Sequence, residues 1–311
     1  MITSHDIEKI KSSIPPFIEP EIKAFLQEKE SEIVSLQEGV THIVFPEIVS
    51  KRVQEIKTVL GDIGSIYFPL KSTISISLIK QIHEEGCGLE VSTLGELDVA
   101  LTLGSQKILA GGPKNKSYLK KALEHKCLIS VDSREELEYI QETNIPCEVL
   151  LRVSDLKSSI QHFSPKYSRF GIPSKDIATI VSNISKHITV RGIHFHSDSF
   201  NVEQKASFLG HISELLNTIQ KQGHPADILN IGGGFNPKTL ESRKDWLSFI
   251  GNQANLIKET GNTTCINNAC YGLEMEHGII TNLKKLESKF NNESTVQQLK
   301  TLLTTPTENT T

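Results

Sequence analysis

No Cys-x-x-Cys spacing occurs among the five cysteines, Cys87, Cys127, Cys147, Cys265 and Cys270. Most sit in or beside apolar runs, so they read as buried, reduced thiols of a cytosolic protein rather than as a zinc site. No apolar run approaches the roughly 20 residues that a membrane span needs. The opening MITSHDIEKIKSS has no apolar stretch of the secretory-signal kind, and a cytoplasmic protein is expected. A dominant charge is lacking too. The 33 Lys and Arg against 37 Asp and Glu leave a net charge of −4, so no global field draws the chain to nucleic acid or to an anionic membrane. The Lys-rich stretch from Lys114 to Lys121 is interrupted by Asn, Ser, Tyr and Leu, and reads as a solvated helix face.

What is present is rhythm. Residues 1–38 alternate acids, lysines and apolar residues in one or two helices, broken by Pro15-Pro16 and Pro20. A short strand is expected at Thr41–Phe45 and a helix over Ile48–Leu60. Then short β-branched runs alternate with amphipathic stretches, the pattern of βαβ units. The strand candidates are Ser65–Leu70, Gly88–Ser92, Lys107–Ala110, Cys127–Val131, Cys147–Val153, Thr189–His196, Asp227–Ile231 and Thr263–Ile266. Between them lie helices at Ile74–Glu85, Leu94–Leu103, Lys116–Glu124, Arg134–Glu142, Asp176–Ser185, Glu203–Gln222 and Leu240–Thr260. Eight strands in strict alternation predict an α/β fold closed as a (β/α)8 TIM barrel, with an open doubly wound sheet as the alternative. The expected organisation is an N-terminal helical extension (1–38), the barrel (39–268), a short β remnant (269–290) and a polar tail (291–311) with one short helix at Val296–Leu303.

In a barrel the loops after each strand share one rim, and that rim carries the active site. Here those loops bring Lys71 after the first strand, Ser92, Thr93 and Glu96 after the second, Gly111-Gly112-Pro113 after the third, and Asp132-Ser133 after the fourth. Arg152 ends the fifth; His194, His196, Asp198 and Ser199 cluster at the sixth; Gly232-Gly233-Gly234 follow the seventh and Asn267-Asn268 the eighth. Lys71 could simply snorkel to solvent; dehydrated at a crowded rim, its amine would be a Schiff-base nucleophile. The glycine triplet could be an ordinary turn, or a loop whose N–H groups cradle an anion. Strand alternation puts His194 and His196 on one face. No third metal ligand is evident beside them, so stacking on a planar ring or a satisfied core histidine is the better reading.

The ordered motifs Y-F-P-L-K71-S, E-V-S-T-L-G-E96-L, V-D-S, L-R152-V, S-R-F-G171, H-F-H196-S-D-S199 and I-L-N-I-G232-G-G-F resemble fold-type III, alanine racemase-like decarboxylases that use pyridoxal 5′-phosphate (PLP). These include the diaminopimelate, ornithine and arginine decarboxylases. The resemblance spans about residues 38–236. It implies that Lys71 forms the internal aldimine with PLP and that His196 stacks on the pyridine ring. Ser199 and Gly232, Gly233 and Gly234 would hold the phosphate, Arg152 would contact the ring from behind, and Glu90 stands where the family usually has Asp. Decarboxylation of a basic or diamino acid is the implied activity.

The departures are equally specific. The family's Glu-Pro-Gly-Arg motif, whose acid meets the pyridine nitrogen, is absent; the matching stretch reads TTCINNACYGLEMEHG, where Asn267 would serve as a neutral partner. Thr93 replaces a Ser, and Asp198 replaces a Gly beside the phosphate loop. The family's large C-terminal β domain is expected to be mostly missing, so a homodimer and pairing with a homologue both stay open. Three readings follow: an active decarboxylase, a PLP-binding barrel with weak or no catalysis, and a binding or assembly module that pairs with a complete homologue.

Overall fold

The computed structural model describes residues 18–36, 42–157, 168–197, 202–235, 238, 240, 242–260, 275–276, 279–281 and 290–305. The chain divides into two compact units, Val44–Gly234 with Leu299–Thr311, and Met1–Ile43 with Phe235–Gln298.

Pro20 opens α1 (Pro20–Glu28) at its first position, where a missing N–H leaves no bond unmade, and α2 (Glu30–Ser35) follows. The strand expected at Thr41–Phe45 does not form among the described residues 42–45, which carry no regular structure and run directly into α3 (Pro46–Leu60). Pro46 keeps Phe45 out of the helical region. Extended backbone becomes a strand only with a ladder partner, and no described strand pairs with this segment.

The larger unit is built on β1 (Tyr67–Pro69), α4 (Ile76–Glu84), β2 (Gly88–Val91), α5 (Leu94–Thr102), β3 (Ile108–Ala110), α6 (Lys116–Glu124), β4 (Leu128–Val131), α7 (Arg134–Thr143), β5 (Cys147–Arg152), α8 (Ile177–Ser182), β6 (Ile188–His194), α9 (Val202–Ser207), α10 (Leu209–Lys221) and β7 (Ile228–Asn230). The seven strands form one sheet in sequence order, and each neighbouring pair is parallel. Strand order that never reverses is the winding of a (β/α)8 barrel; a doubly wound sheet reverses at its switch point. The expected eighth strand, Thr263–Ile266, lies outside the described residues. Beyond the sheet come α11 (Arg243–Thr260), the antiparallel pair β8 (Met275–Glu276) and β9 (Ile279–Ile280), and α12 (Thr295–Thr304).

A parallel sheet buried on both faces needs near-continuous apolar strands. Leu89, Val91, Ala110, Ile129, Val131, Val149, Leu151, Val190 and Ile193 are accordingly buried, and one cluster joins them to Leu97, Leu119, Ile140, Ile177 and Ile219 of the helices. At one rim the helices start on side-chain caps. Thr93, Asn115 and Ser133 accept from the N–H groups of Glu96, Tyr118 and Glu136 at 3.1, 2.9 and 3.2 Å. The helix read as continuous over Glu203–Gln222 is two, α9 and α10. They part at Phe208, whose ring meets Phe195 edge-on at 6.1 Å between centroids.

One irregularity interrupts the ladder. Val149 pairs with Val190 but Leu150 with Gly192, so β6 carries one extra residue, Arg191. Gly192 has φ +149°, and a Cβ there would lie 1.8 Å from the Ile228 carbonyl oxygen, so only glycine fits.

Candidate functional site

The strand ends align the polar residues in register. Above the bulge Arg152 pairs with His194, and His194 with Asn230; on the other side Glu90 pairs with Pro69 of β1. The short turn Leu70–Ser72 follows β1 directly and carries Lys71. Lys71 is exposed, contrary to the expectation of a dehydrated amine, because the turn lifts it past the strand end. Pro69 pairs with Glu90, so the turn that follows brings Lys71 to the Glu90 end of the sheet, and its charge acts on Glu90 and His194.

Arg152 is held from two sides. Its guanidinium bonds the buried Asp132 at 2.6 Å and lies 5.0 Å from the centre of the Phe170 ring. Behind it sits a fully enclosed ion pair. Lys114, expected on a solvated helix face, lies before the helix that Asn115 caps, and its side chain is 0% exposed. Its Nζ meets Glu136 at 2.9 Å and donates to the Gly112 and Ser130 carbonyls. Glu136 also accepts from the backbone N–H groups of Lys114 (2.7 Å) and Asp132 (2.9 Å). The loops after β3 and β4 are thereby tied together, with the Asp132 that holds Arg152 set between them. Nothing in the local composition around Lys114 announces this, since Glu136 lies 22 residues away.

Burial pushes the Glu90 carboxyl above the usual range, opposed by the charges of Lys71 and Arg152. His194 is buried, with Nδ1 2.6 Å from the Ser130 hydroxyl. Burial first, then the charges of Arg152, His196, Lys114 and Lys71, pull its imidazole down to about 3. His194 is therefore neutral near pH 7. The unfolded imidazole takes up a proton near pH 6.5 and the folded one only near 3, so the unfolded state binds more protons in that window. Stability is expected to fall as pH drops from about 6.5 toward 3, and His194→Gln to flatten that limb. Urea unfolding at several pH values reads both slopes; equal slopes in the two proteins would refute the assignment.

After β7 the chain turns on the glycine triplet. Gly232 (φ +63°) and Gly234 (φ +76°) take conformations that side chains rarely adopt. A Cβ on Gly232 would come within 2.7 Å of the Phe195 carbonyl and 2.8 Å of His196 Nδ1, whereas one on Gly233 would meet open space. The loop thus lies flush against the His196 segment with its middle residue facing outward. Asn230 fixes the near side by accepting from the Gly232 N–H at 2.8 Å. His196 itself is exposed, one residue past the buried Phe195. Ser199, Asp198 and Asn267 lie outside the described residues.

Cys87, Cys127 and Cys147 are free and buried, and burial pushes the last two thiols up to about 11, away from reactivity. Among the described residues no three His, Cys, Asp or Glu side chains converge as a metal-ligand set. No described helix is long and apolar enough to cross a membrane.

A sequence-ordered parallel sheet, with an exposed lysine after its first strand and a glycine loop after its seventh, defines the fold as an α/β barrel. Residues 47–278 match the family model described as "Pyridoxal-dependent decarboxylase, pyridoxal binding domain", and the chain belongs to that family. An uncharacterized protein, y4yA, of Sinorhizobium fredii is 29% identical over 233 residues, covering 71% of this chain and 49% of that protein. Diaminopimelate decarboxylase of Staphylococcus aureus is 28% identical over 222 residues, 65% of this chain and 52% of the enzyme. The chain therefore spans about half the length of these curated relatives. In fold, a lysine/ornithine decarboxylase from Vibrio vulnificus, complexed with putrescine, superposes with a TM-score of 0.57 at 19% identity, over 78% of this chain and 64% of that one.

Proposed function

We propose that this chain binds PLP at the described rim, with Lys71 as the covalent anchor, and supports decarboxylation of a basic or diamino acid. The observation that carries the reading is the pairing of an exposed primary amine after β1 with a glycine cradle after β7. The cradle fits a phosphate, since backbone amides in a concave glycine loop bind anions without a side chain in the way. Gly232, Gly233, Gly234 and Ser199 would hold that phosphate, and His196, exposed beside Gly232, would face the ring. Arg152, braced by Asp132 and Phe170, and Glu90, whose carboxyl holds its proton more tightly than usual, would face the remaining edge, with Asn267 as the partner of the ring nitrogen. Bound PLP supplies an electron sink for the pair released when a carboxylate leaves. Neutral His194 adds no second positive charge beside Arg152.

Amino acids with a cationic side chain are the proposed substrate class, by analogy with the decarboxylases among the relatives. Release of carbon dioxide from lysine, ornithine, arginine and diaminopimelate, with PLP added, tests this. Turnover of any one, abolished in Lys71→Ala, is expected; PLP bound without turnover of any of them would favour the second reading, a binding barrel. The missing Glu-Pro-Gly-Arg motif favours that alternative, because Asn267 cannot hold the ring nitrogen protonated as a carboxylate does.

A further inference from the structure

Lys205 has no place in the motifs that resemble the decarboxylases, yet α9 drives it inward. It is 1% exposed, and its Nζ lies 5.8 Å from the centre of the buried Phe195 ring. That Nζ donates to the Gly233 carbonyl at 2.7 Å and reaches the Ile231 carbonyl at 3.4 Å. A buried lysine is costly unless its hydrogens find acceptors, and two of its acceptors here are the carbonyls of Ile231 and Gly233.

We propose that Lys205 is a positioning residue for the anion cradle: its buried ammonium draws the carbonyls of Ile231 and Gly233 inward and so turns the Gly234 N–H toward a bound phosphate. A trans peptide points its N–H opposite to its C=O. The Ile231 peptide therefore presents the Gly232 N–H on the far side, where Asn230 already accepts it. The Gly233 peptide presents the Gly234 N–H the same way, and among the described residues no acceptor meets it. The ammonium polarises that peptide, which strengthens the Gly234 N–H as a donor to a phosphate dianion.

The proposal rests on the reading that this loop holds the phosphate of PLP, and the experiment separates the two. The full-length chain and Lys205→Met are titrated with PLP and with pyridoxal, which lacks the phosphate, by absorbance. A wild-type chain that binds both equally sinks the loop reading itself. Given a wild-type preference for PLP, Lys205→Met is expected to cut that preference on the order of tenfold, as loss of one charge-assisted hydrogen bond would, while leaving pyridoxal binding unchanged. An unaltered preference overturns the role of Lys205. Should Lys205→Met fail to fold, amide NMR of the wild-type chain decides the matter. Inorganic phosphate is expected to shift the Gly234 N–H downfield and leave the Gly232 N–H in place; no shift at Gly234, in a chain that prefers PLP, overturns the proposal.

Discussion

Lys71→Ala is expected to lose covalent capture of pyridoxal altogether, with borohydride-fixed label falling at least about a hundredfold, to the level of incidental surface lysines. The size follows from the surroundings. Two other lysines approach the rim, but Lys114 is enclosed by Glu136, Gly112 and Ser130, and Lys205 is bonded to the glycine loop. Neither amine has an open path to an aldehyde, so neither of these two substitutes for residue 71. Lys71→Arg keeps the charge but offers a guanidinium that stays protonated and does not form the bond. It should retain non-covalent binding through the cradle while losing the label. Peptide mass spectrometry after reduction locates any adduct, and undiminished labelling in either variant would remove Lys71 from the proposed chemistry.

The second large effect concerns stability. Lys114→Met leaves the Glu136 carboxylate buried without its cation, and breaking one side of a buried pair typically costs about 3–5 kcal/mol. The loss should extend to function, because the same carboxylate holds the backbone of Asp132, whose side chain braces Arg152. Removing both charges, as in Lys114→Met with Glu136→Leu, should recover part of the stability by eliminating the stranded ion, although the N–H groups of Lys114 and Asp132 then lose their acceptor. Urea midpoints at constant m-value measure both variants. A shift of less than about 1 kcal/mol for Lys114→Met would mean that water reaches the pair after all.

Much of this architecture is legible in the sequence because its cause is local. Runs such as Ile108–Ala110 and Cys147–Arg152 are apolar at nearly every position, as a strand covered on both faces must be, and Thr93, Asn115 and Ser133 mark helix starts through their own side chains. The order of polar residues at the strand ends is legible for the same reason. What stays hidden depends on partners distant in sequence. Lys114 resembles the surface lysines around it because Glu136 lies a whole βα unit further on. Lys205 sits in the polar run Val202–Ser207 and is buried only because the loop after β7 passes over it. Residues 42–45 have strand chemistry but no neighbouring strand among the described residues, and the break at Phe208 has no Pro and no Gly at the break itself, only Gly210 two residues on. The exposure of Lys71 depends on the short turn that follows an equally short first strand.

The single extra residue in β6 sets the frame of everything above it. Were Arg191 paired in the ladder instead of bulged out of it, the pairing that begins at Cys147 with Ile188 would bring Arg152 opposite Ile193 and send His194 one step beyond the ladder. With it, the imidazole stands across from the guanidinium and the neighbouring isoleucine is packed into the core. Which side chain confronts Arg152 is thus decided lower on the strand, at the step from Val149 to Leu150, by a glycine whose backbone lies too close to Ile228 for any other residue to stand there. Drawing Arg191 into the ladder would leave the composition of the rim unchanged while exchanging a basic ring for an aliphatic side chain opposite the guanidinium, whereas deleting Arg191 would close the bulge and keep His194 in place.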